Sequence, residues 1–425
     1  MKIYLDTIGC RLNQSEIESM ARQFRAAGHE IVASAAEADL AVVNTCTVTA
    51  EAASDSRAAI RRATRRGAGE VIVTGCWATL EPDKAAELAG VHKVILNSKK
   101  DTLVADLLEL PQEYFDLEPL ARTPLPGLRG RTRAFVKVQD GCNNRCTFCI
   151  TTVARGASRS RSAVQVIADV RSALDGGTQE VVLTGVHLGA WGQDLDPPLR
   201  LADLVSAILA RTSVPRLRLS SLEPWDLQPS FFELWADPRL CRHLHLPLQS
   251  GSAGVLRRMA RKTSPEAFAA LLASARACIS EVAVTTDVIV GFPGETDEEF
   301  AETEAFVRAM QFAGGHVFTY SARPGTAAAR LPGQVETGIR KTRNACLRST
   351  FLEAARHYRS QFLGRTMPVL WEATDQLSQS GWRLEGLTDN YLRVSASAGE
   401  PRWNQIDAVR LTGLSDEGLL GEIQE

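Results

Sequence analysis

Two rhythms of apolar and polar residues run along this chain. In the first hundred positions, short apolar runs recur as KIYLD, LAVVN, EVIVTG and KVILN. Runs of that length read as strands buried on both faces. Between them lie 15–29 and 51–68, rich in Ala and Arg, with helical spacing and turn signals at their ends. Such alternation predicts a doubly wound parallel α/β sheet over residues 1–118. A stretch with Pro111, Pro119, Pro124, Pro126, Gly127 and Gly130 predicts a linker.

From Arg133 the alternation resumes. RAFVKVQ, EVVLTG, RLRLS, HLHLP, VAVTTDVIV and GHVFTY read as strands. Helical patterns fall between them at 162–174, 201–211 and 265–278. Six βα units over 128–360 predict a partial (β/α)6 barrel, open on one side because a full barrel needs eight. After a basic helix near 337–363 the rhythm changes to period two. MPVLWEA, GWRLEGLT, YLRVSA and DAVRLTGL predict a small antiparallel β-barrel over 361–425.

The 425 residues carry a net charge of −2, so no global positive field marks a nucleic-acid partner. The opening MKIYLDTIGC is broken by Asp6 and reads as a strand rather than a signal peptide. No apolar run is long enough to span a bilayer, so a cytoplasmic protein without membrane contact is expected. Nine cysteines, an odd number, point to metal or redox chemistry rather than a disulfide framework.

Two cysteine triplets stand out. Cys142, Cys146 and Cys149 form a Cx3Cx2C motif just beyond the first barrel strand, with Phe148 between the last two thiols. The spacing suits zinc completed by a distant ligand, and it suits an iron–sulfur cluster with one iron left open. Its position at a strand's carboxyl end, where α/β folds gather their chemistry, favours a catalytic role. Cys10, Cys46 and Cys76 lie far apart in sequence, yet each follows an apolar strand. Parallel strands end on one edge, so three such thiols can converge. Cys241, Cys278 and Cys346 lack such placement and read as packing residues.

These motifs carry a resemblance. Cys142, Cys146 and Cys149 match the signature of radical S-adenosylmethionine enzymes. GCRLNQSEIE, VVNTCTVTAEAASDSRAAIRR, VIVTGC, QDGCNNRCTFCI, ARGASRSR, HLHLPLQSGS and DVIVGFPGET resemble the methylthiotransferase family over nearly the whole chain. NTCTVTAEA and HVFTYSARPGTAAA look most like the branch that modifies N6-threonylcarbamoyladenosine in tRNA, next to the anticodon. The resemblance implies two [4Fe-4S] clusters, one on each triplet, with S-adenosylmethionine at the open iron of the Cys142 cluster. It implies radical hydrogen abstraction at carbon 2 of the adenine, followed by sulfur delivery at the Cys10 cluster and methylation. Phe148, Thr184, Gly185, Glu223, Gln249, Ser250 and Asp287 match the family's S-adenosylmethionine contacts. The terminal β segment resembles the TRAM domain. Expected partners are the tRNA anticodon loop, S-adenosylmethionine, an electron donor and a sulfur source. In family members a proline often precedes the ARG stretch, where this chain reads TTVARG.

RNA contact must come from local patches. Candidates are Arg57, Arg61, Arg62, Arg65 and Arg66; Arg155, Arg159 and Arg161; and Arg340, Lys341, Arg343 and Arg348. The last segment has five arginines and no lysine against ten acidic residues, so it repels phosphate unless those arginines cluster. Trp371, Trp382, Tyr391 and Trp403 suit either base stacking or a small core. Two other readings stay open: the same sulfur insertion on a ribosomal protein or another tRNA adenosine, and a zinc-bound RNA-binding scaffold without catalysis.

Overall fold

The computed structural model describes residues 1–115, 132–378 and 381–424. Most of the predicted linker lies outside them. The amino-terminal unit is a five-stranded parallel sheet of β1 (Lys2–Thr7), β2 (Glu30–Val32), β3 (Leu40–Thr45), β4 (Glu70–Gly75) and β5 (Val91–Ile95), in the order β2-β1-β3-β4-β5. Helices α1 (Arg11–Ala26) and α2 (Ala50–Arg65) follow β1 and β3. One face packs Ile17, Met20 and Phe24 against Ile3 and Val42; the other packs Ala59, Ile60 and Trp77 against Val43 and Val73. Thr49 caps α2 by accepting from Ala52 N, and Arg62 and Arg65 sit in its last turn, opposite the dipole. The three-residue β2 was not foreseen, and β5 begins two residues earlier than KVILN suggests.

Six parallel strands form the central unit: Arg133–Lys137, Glu180–Thr184, Arg216–Leu219, His243–His245, Ala283–Val290 and Gly314–Thr319. The first three and the last three pair among themselves. Isolated parallel bridges, Leu217 to Leu240 and Ser221 to His245, join the two halves. The result is the expected open barrel. Helices Ala163–Asp175 and Asp297–Met310 start with capping boxes, Ser162 with Gln165 and Thr296 with Glu299. The main apolar core runs from Val136 and Val166 to Phe312 and Phe351, with a smaller one around Val255, Met259 and Phe292.

The last unit is a closed five-stranded barrel of Thr366–Ser378, Gly381–Thr388, Arg393–Ala398, Ile406–Leu414 and Leu419–Ile423. Its final strand was not foreseen. That strand lies parallel to Arg393–Ala398, so the barrel is not purely antiparallel. Arginines of the central unit hold it. Arg218, fully buried, forks onto Glu180 at 2.6 and 3.0 Å and donates to Asp389 O and Thr388 O. Arg242 grips the Asp389 carboxylate at 2.6 and 3.1 Å. The buried Arg218 guanidinium and the half-buried Arg242, each with its acceptors in place, give a directional joint.

Candidate functional site

Strands β1, β3 and β4 are neighbours, with Thr7 opposite Asn44 and Thr45 opposite Gly75. Their carboxyl ends therefore stand side by side, and Cys10, Cys46 and Cys76 leave from them onto one cavity. Cys10 occupies the amino-terminal cap of α1 and makes no capping bond there. Cys76 is the first residue of the helix Cys76–Leu80. Helix amino termini favour thiolates. Gly9 has φ +111, and a Cβ there would lie 2.7 Å from Cys46 Sγ, so the β1 loop abuts the second thiol. Gly75, at φ +100, leaves no room either: a Cβ would meet Thr45 O at 2.3 Å.

Burial pushes the Cys46 thiol up; Cys10, exposed to the chamber, is raised by the loss of solvation beside the chamber wall, which Arg155 partly offsets. Asn97 Nδ2 donates to Cys76 Sγ at 3.6 Å, and Cys10 Sγ lies 3.7 Å from Asn13 Oδ1. In the second triplet, Asn144 N donates to Cys142 Sγ and Thr151 N to Cys149 Sγ, both at 3.4 Å. Arg261 Nη1 reaches Cys146 Sγ at 3.9 Å. N–H donors to sulfur would tune the potential of any cluster that these thiolates held. Among the described residues no three His, Cys, Asp or Glu are spaced to hold a single metal ion.

The triplets line different spaces. Cys10, Cys46 and Cys76 open on a chamber of about 2320 Å³ bounded by all three units, which Thr184, Gly185 and Asp287 also line. Cys142, Cys146 and Cys149 line a shallow cavity of about 360 Å³ with Gly325, Thr326 and Ala327. Between them stands a buried charge cluster. Arg155 binds Glu16 at 2.8 Å, Asp140 at 2.9 Å and Asn13 at 2.6 Å; Lys100 binds Glu16 at 2.8 Å. Burial alone would raise the Glu16 carboxyl, but Arg155, Lys100 and Lys137 hold it well below the usual carboxylate range. Arg323 donates to Thr47, beside Cys46, and makes a second link.

The other expected contacts scatter. A Cβ on Gly185 would lie 2.9 Å from Gln139 Oε1, so the loop passes close to that side chain. Glu223 pairs with Arg261 at 2.7 Å, which ties it to Cys146. Asp287 pairs with His245 at 3.2 Å and His316 at 3.3 Å. Gln249 has φ 74 and bridges to Val288. Ser250 is buried against Thr303 Oγ1 at 3.1 Å. Phe148 packs against the core of Val255, Met259, Phe292 and Tyr320. Gln249, Ser250 and Phe148 line neither cavity.

Sequence reasoning missed Gln139. Its Nε2 donates to Asp140 O, Gly141 O and Ser158 Oγ while Oε1 accepts from His187 N. It thereby ties the cysteine loop to the second strand end. His187 pairs with Asp226 at 2.5 Å. Burial pulls its pKa down, but bonds with Asp226 and Cys142 win and set it at about 9. The arginine patches resolve unevenly. Arg61, Arg65, Arg66 and Arg159 are exposed, whereas Arg155 is buried and Arg343 is buried against Glu295. Among the aromatics, Trp371 is core, Trp403 is 39% exposed, and Tyr391 stacks on His243 at 4.3 Å.

Residues 2–97 match the family described as UPF0004, an uncharacterized protein family, and residues 136–307 match the Radical SAM superfamily. A Bacillus subtilis protein named threonylcarbamoyladenosine tRNA methylthiotransferase MtaB is 36% identical over 95% of this chain and 92% of its own. The chain belongs to the radical S-adenosylmethionine methylthiotransferases. A Thermotoga maritima member with the same name is 33% identical over 98% of this chain and 96% of its own. A Geobacter metallireducens member is 31% identical over 99% and 98%, and is named tRNA-2-methylthio-N(6)-dimethylallyladenosine synthase. In fold, the methylthiotransferase is like the radical S-adenosylmethionine methyltransferase TsrM from Kitasatospora setae, at TM-score 0.58 and 15% identity over 77% of this chain and 73% of that one. No helix among the described residues is long and apolar enough to cross a membrane.

Proposed function

We propose that this chain converts N6-threonylcarbamoyladenosine at tRNA position 37 to its 2-methylthio derivative. The observation that carries the reading is the pair of cysteine triplets, one at the edge of each parallel unit, separated by the Arg155 cluster. Cys142, Cys146 and Cys149 would hold one [4Fe-4S] cluster and Cys10, Cys46 and Cys76 the other. Bound there with S-adenosylmethionine, they supply one-electron chemistry for a carbon that has no acidic proton and no leaving group. The protein's part is to bind, orient and shield. Gln139 holds the cysteine loop against Gly185. Arg261 and the backbone N–H groups of Asn144 and Thr151 steady the radical-site thiolates. The chamber gives the flipped adenosine a place beside Cys10, and Phe318, 43% exposed on its wall, offers a face for a base to stack on.

Units 1–118, 128–360 and 361–425 would serve as sulfur-delivery, radical and TRAM-like domains. A cytoplasmic setting, an electron donor and a sulfur source belong to the same reading.

Anaerobic reconstitution should give about eight irons per chain. Mass spectrometry of nucleosides from tRNA carrying threonylcarbamoyladenosine should then show the methylthio product. Cys142→Ala should abolish S-adenosylmethionine cleavage, whereas Cys46→Ala should keep cleavage and lose product. Methylthiolation of dimethylallyladenosine or of a ribosomal protein instead would overturn the substrate assignment. Equal loss of cleavage in both folded variants would overturn the division of labour.

A further inference from the structure

The curated relatives carry two kinds of N6 substituent in their names, threonylcarbamoyl and dimethylallyl. The first bears a carboxylate and a hydroxyl; the second is wholly apolar. A chamber that accepts the first must pay for desolvating an anion, and a fixed cation is the direct remedy.

Several arginines line the chamber, and some are neutralised: Arg133 pairs with Glu372, and Arg155 pairs with Glu16 and Asp140. Arg359 and Arg393 have no carboxylate partner among the described residues, but they belong to the last helix and the small barrel rather than to the cysteine-bearing edge. Arg11 combines both features. It follows Cys10 directly and lines the chamber, and no carboxylate pairs with it among the described residues. Its single side-chain hydrogen bond there runs from Nη2 to Tyr391 Oη at 2.8 Å, which leaves most of its fork free. The guanidinium lies 5.9 Å from the Tyr391 ring centroid. Tyr391 is itself fixed, stacked on His243 with planes 6° apart and flanked by Arg133 and Arg218. Arg11 is thus a charged donor anchored from behind and facing open space, the arrangement that binds a carboxylate with little reorganisation.

We propose that Arg11 receives the carboxylate of the threonylcarbamoyl group, with Tyr391 holding its guanidinium, and so selects this substrate over an apolar one. The inference rests on the function proposed above. The test uses the reconstituted full chain and three anticodon stem-loop RNAs, bearing at position 37 threonylcarbamoyladenosine, its methyl ester, or dimethylallyladenosine. The wild type should bind the acid about 10- to 100-fold more tightly than the ester, the range of a charge-assisted bond. Arg11→Gln should lose that preference, Arg11→Lys should keep part of it, and Tyr391→Phe should weaken it. An undiminished preference in a folded Arg11→Gln chain overturns the proposal. So does equal binding of acid and ester by the wild type, a result that needs no variant to fold. If the wild type forms product from the acid but Arg11→Gln discriminates unchanged, Arg11 is wrong and the function stands. If the wild type prefers the acid through Arg11 yet forms no product from it, the function is wrong and the anion site stands.

Discussion

Replacing Arg155 by Met tests whether the buried charge cluster holds the two cysteine-bearing units together. Met matches much of the aliphatic stem and removes the guanidinium, and with it the bonds to Glu16, Asp140 and Asn13. Breaking a buried ion pair costs roughly 3–5 kcal/mol, because the remaining charge stays buried. Glu16 keeps Lys100 at 2.8 Å and Asp140 keeps Lys137 at 3.6 Å, so the loss belongs at the lower end, about 3 kcal/mol. Urea unfolding resolves it, with Trp77 reporting the amino-terminal core and Trp191 the barrel core. The pH dependence has a definite sign. Glu16 is depressed in the folded state, so folded protein binds fewer protons there than unfolded chain. Its stabilisation is complete above the unfolded carboxylate value, about 4.3, and is lost as pH falls through the folded value. The variant should lose part of that dependence along with its stability. A midpoint stability within about 0.5 kcal/mol of wild type, the usual range of a surface substitution, would refute the reasoning.

Further expectations concern the site and its supports. Gly75→Ala should displace Cys76, because a Cβ there meets Thr45 backbone atoms, and iron analysis should show loss of about half the metal while the Cys142 triplet stays loaded. Asp389→Ala should release the carboxyl-terminal barrel from Arg242, seen as faster proteolysis between the last helix and Thr366. Trp371→Ala should cost about 3–5 kcal/mol in the small barrel, measured by urea unfolding.

The parallel sheet of the amino-terminal unit was legible because β1, β3 and β4 are short apolar runs separated by helical patterns. β2 and Leu419–Ile423 were not, since three residues, or a run cut by Gly421 and Glu422, give no clear period. Arg155 read as part of an exposed basic patch because its neighbours Arg159 and Arg161 share its composition. Its acidic partners Glu16 and Asp140 lie 139 and 15 positions away, and nothing local announces them. Tyr391 read as a base-stacking or core residue; its partners, Arg11 and His243, come from the other two units. Long-range pairing is set by how the units dock, which periodicity does not encode.

Tyr391 also limits how this gene can be rearranged. A recombinant that swapped the small barrel for another of the same topology would bring a different loop to the floor of the chamber. Arg11 would lose its backing and His243 its stacking partner at one stroke. Truncation after the last helix would do the same. The terminal barrel is therefore bound to the lineage of the two preceding units, and exchanges should survive only where the incoming segment carries a tyrosine at the matching turn.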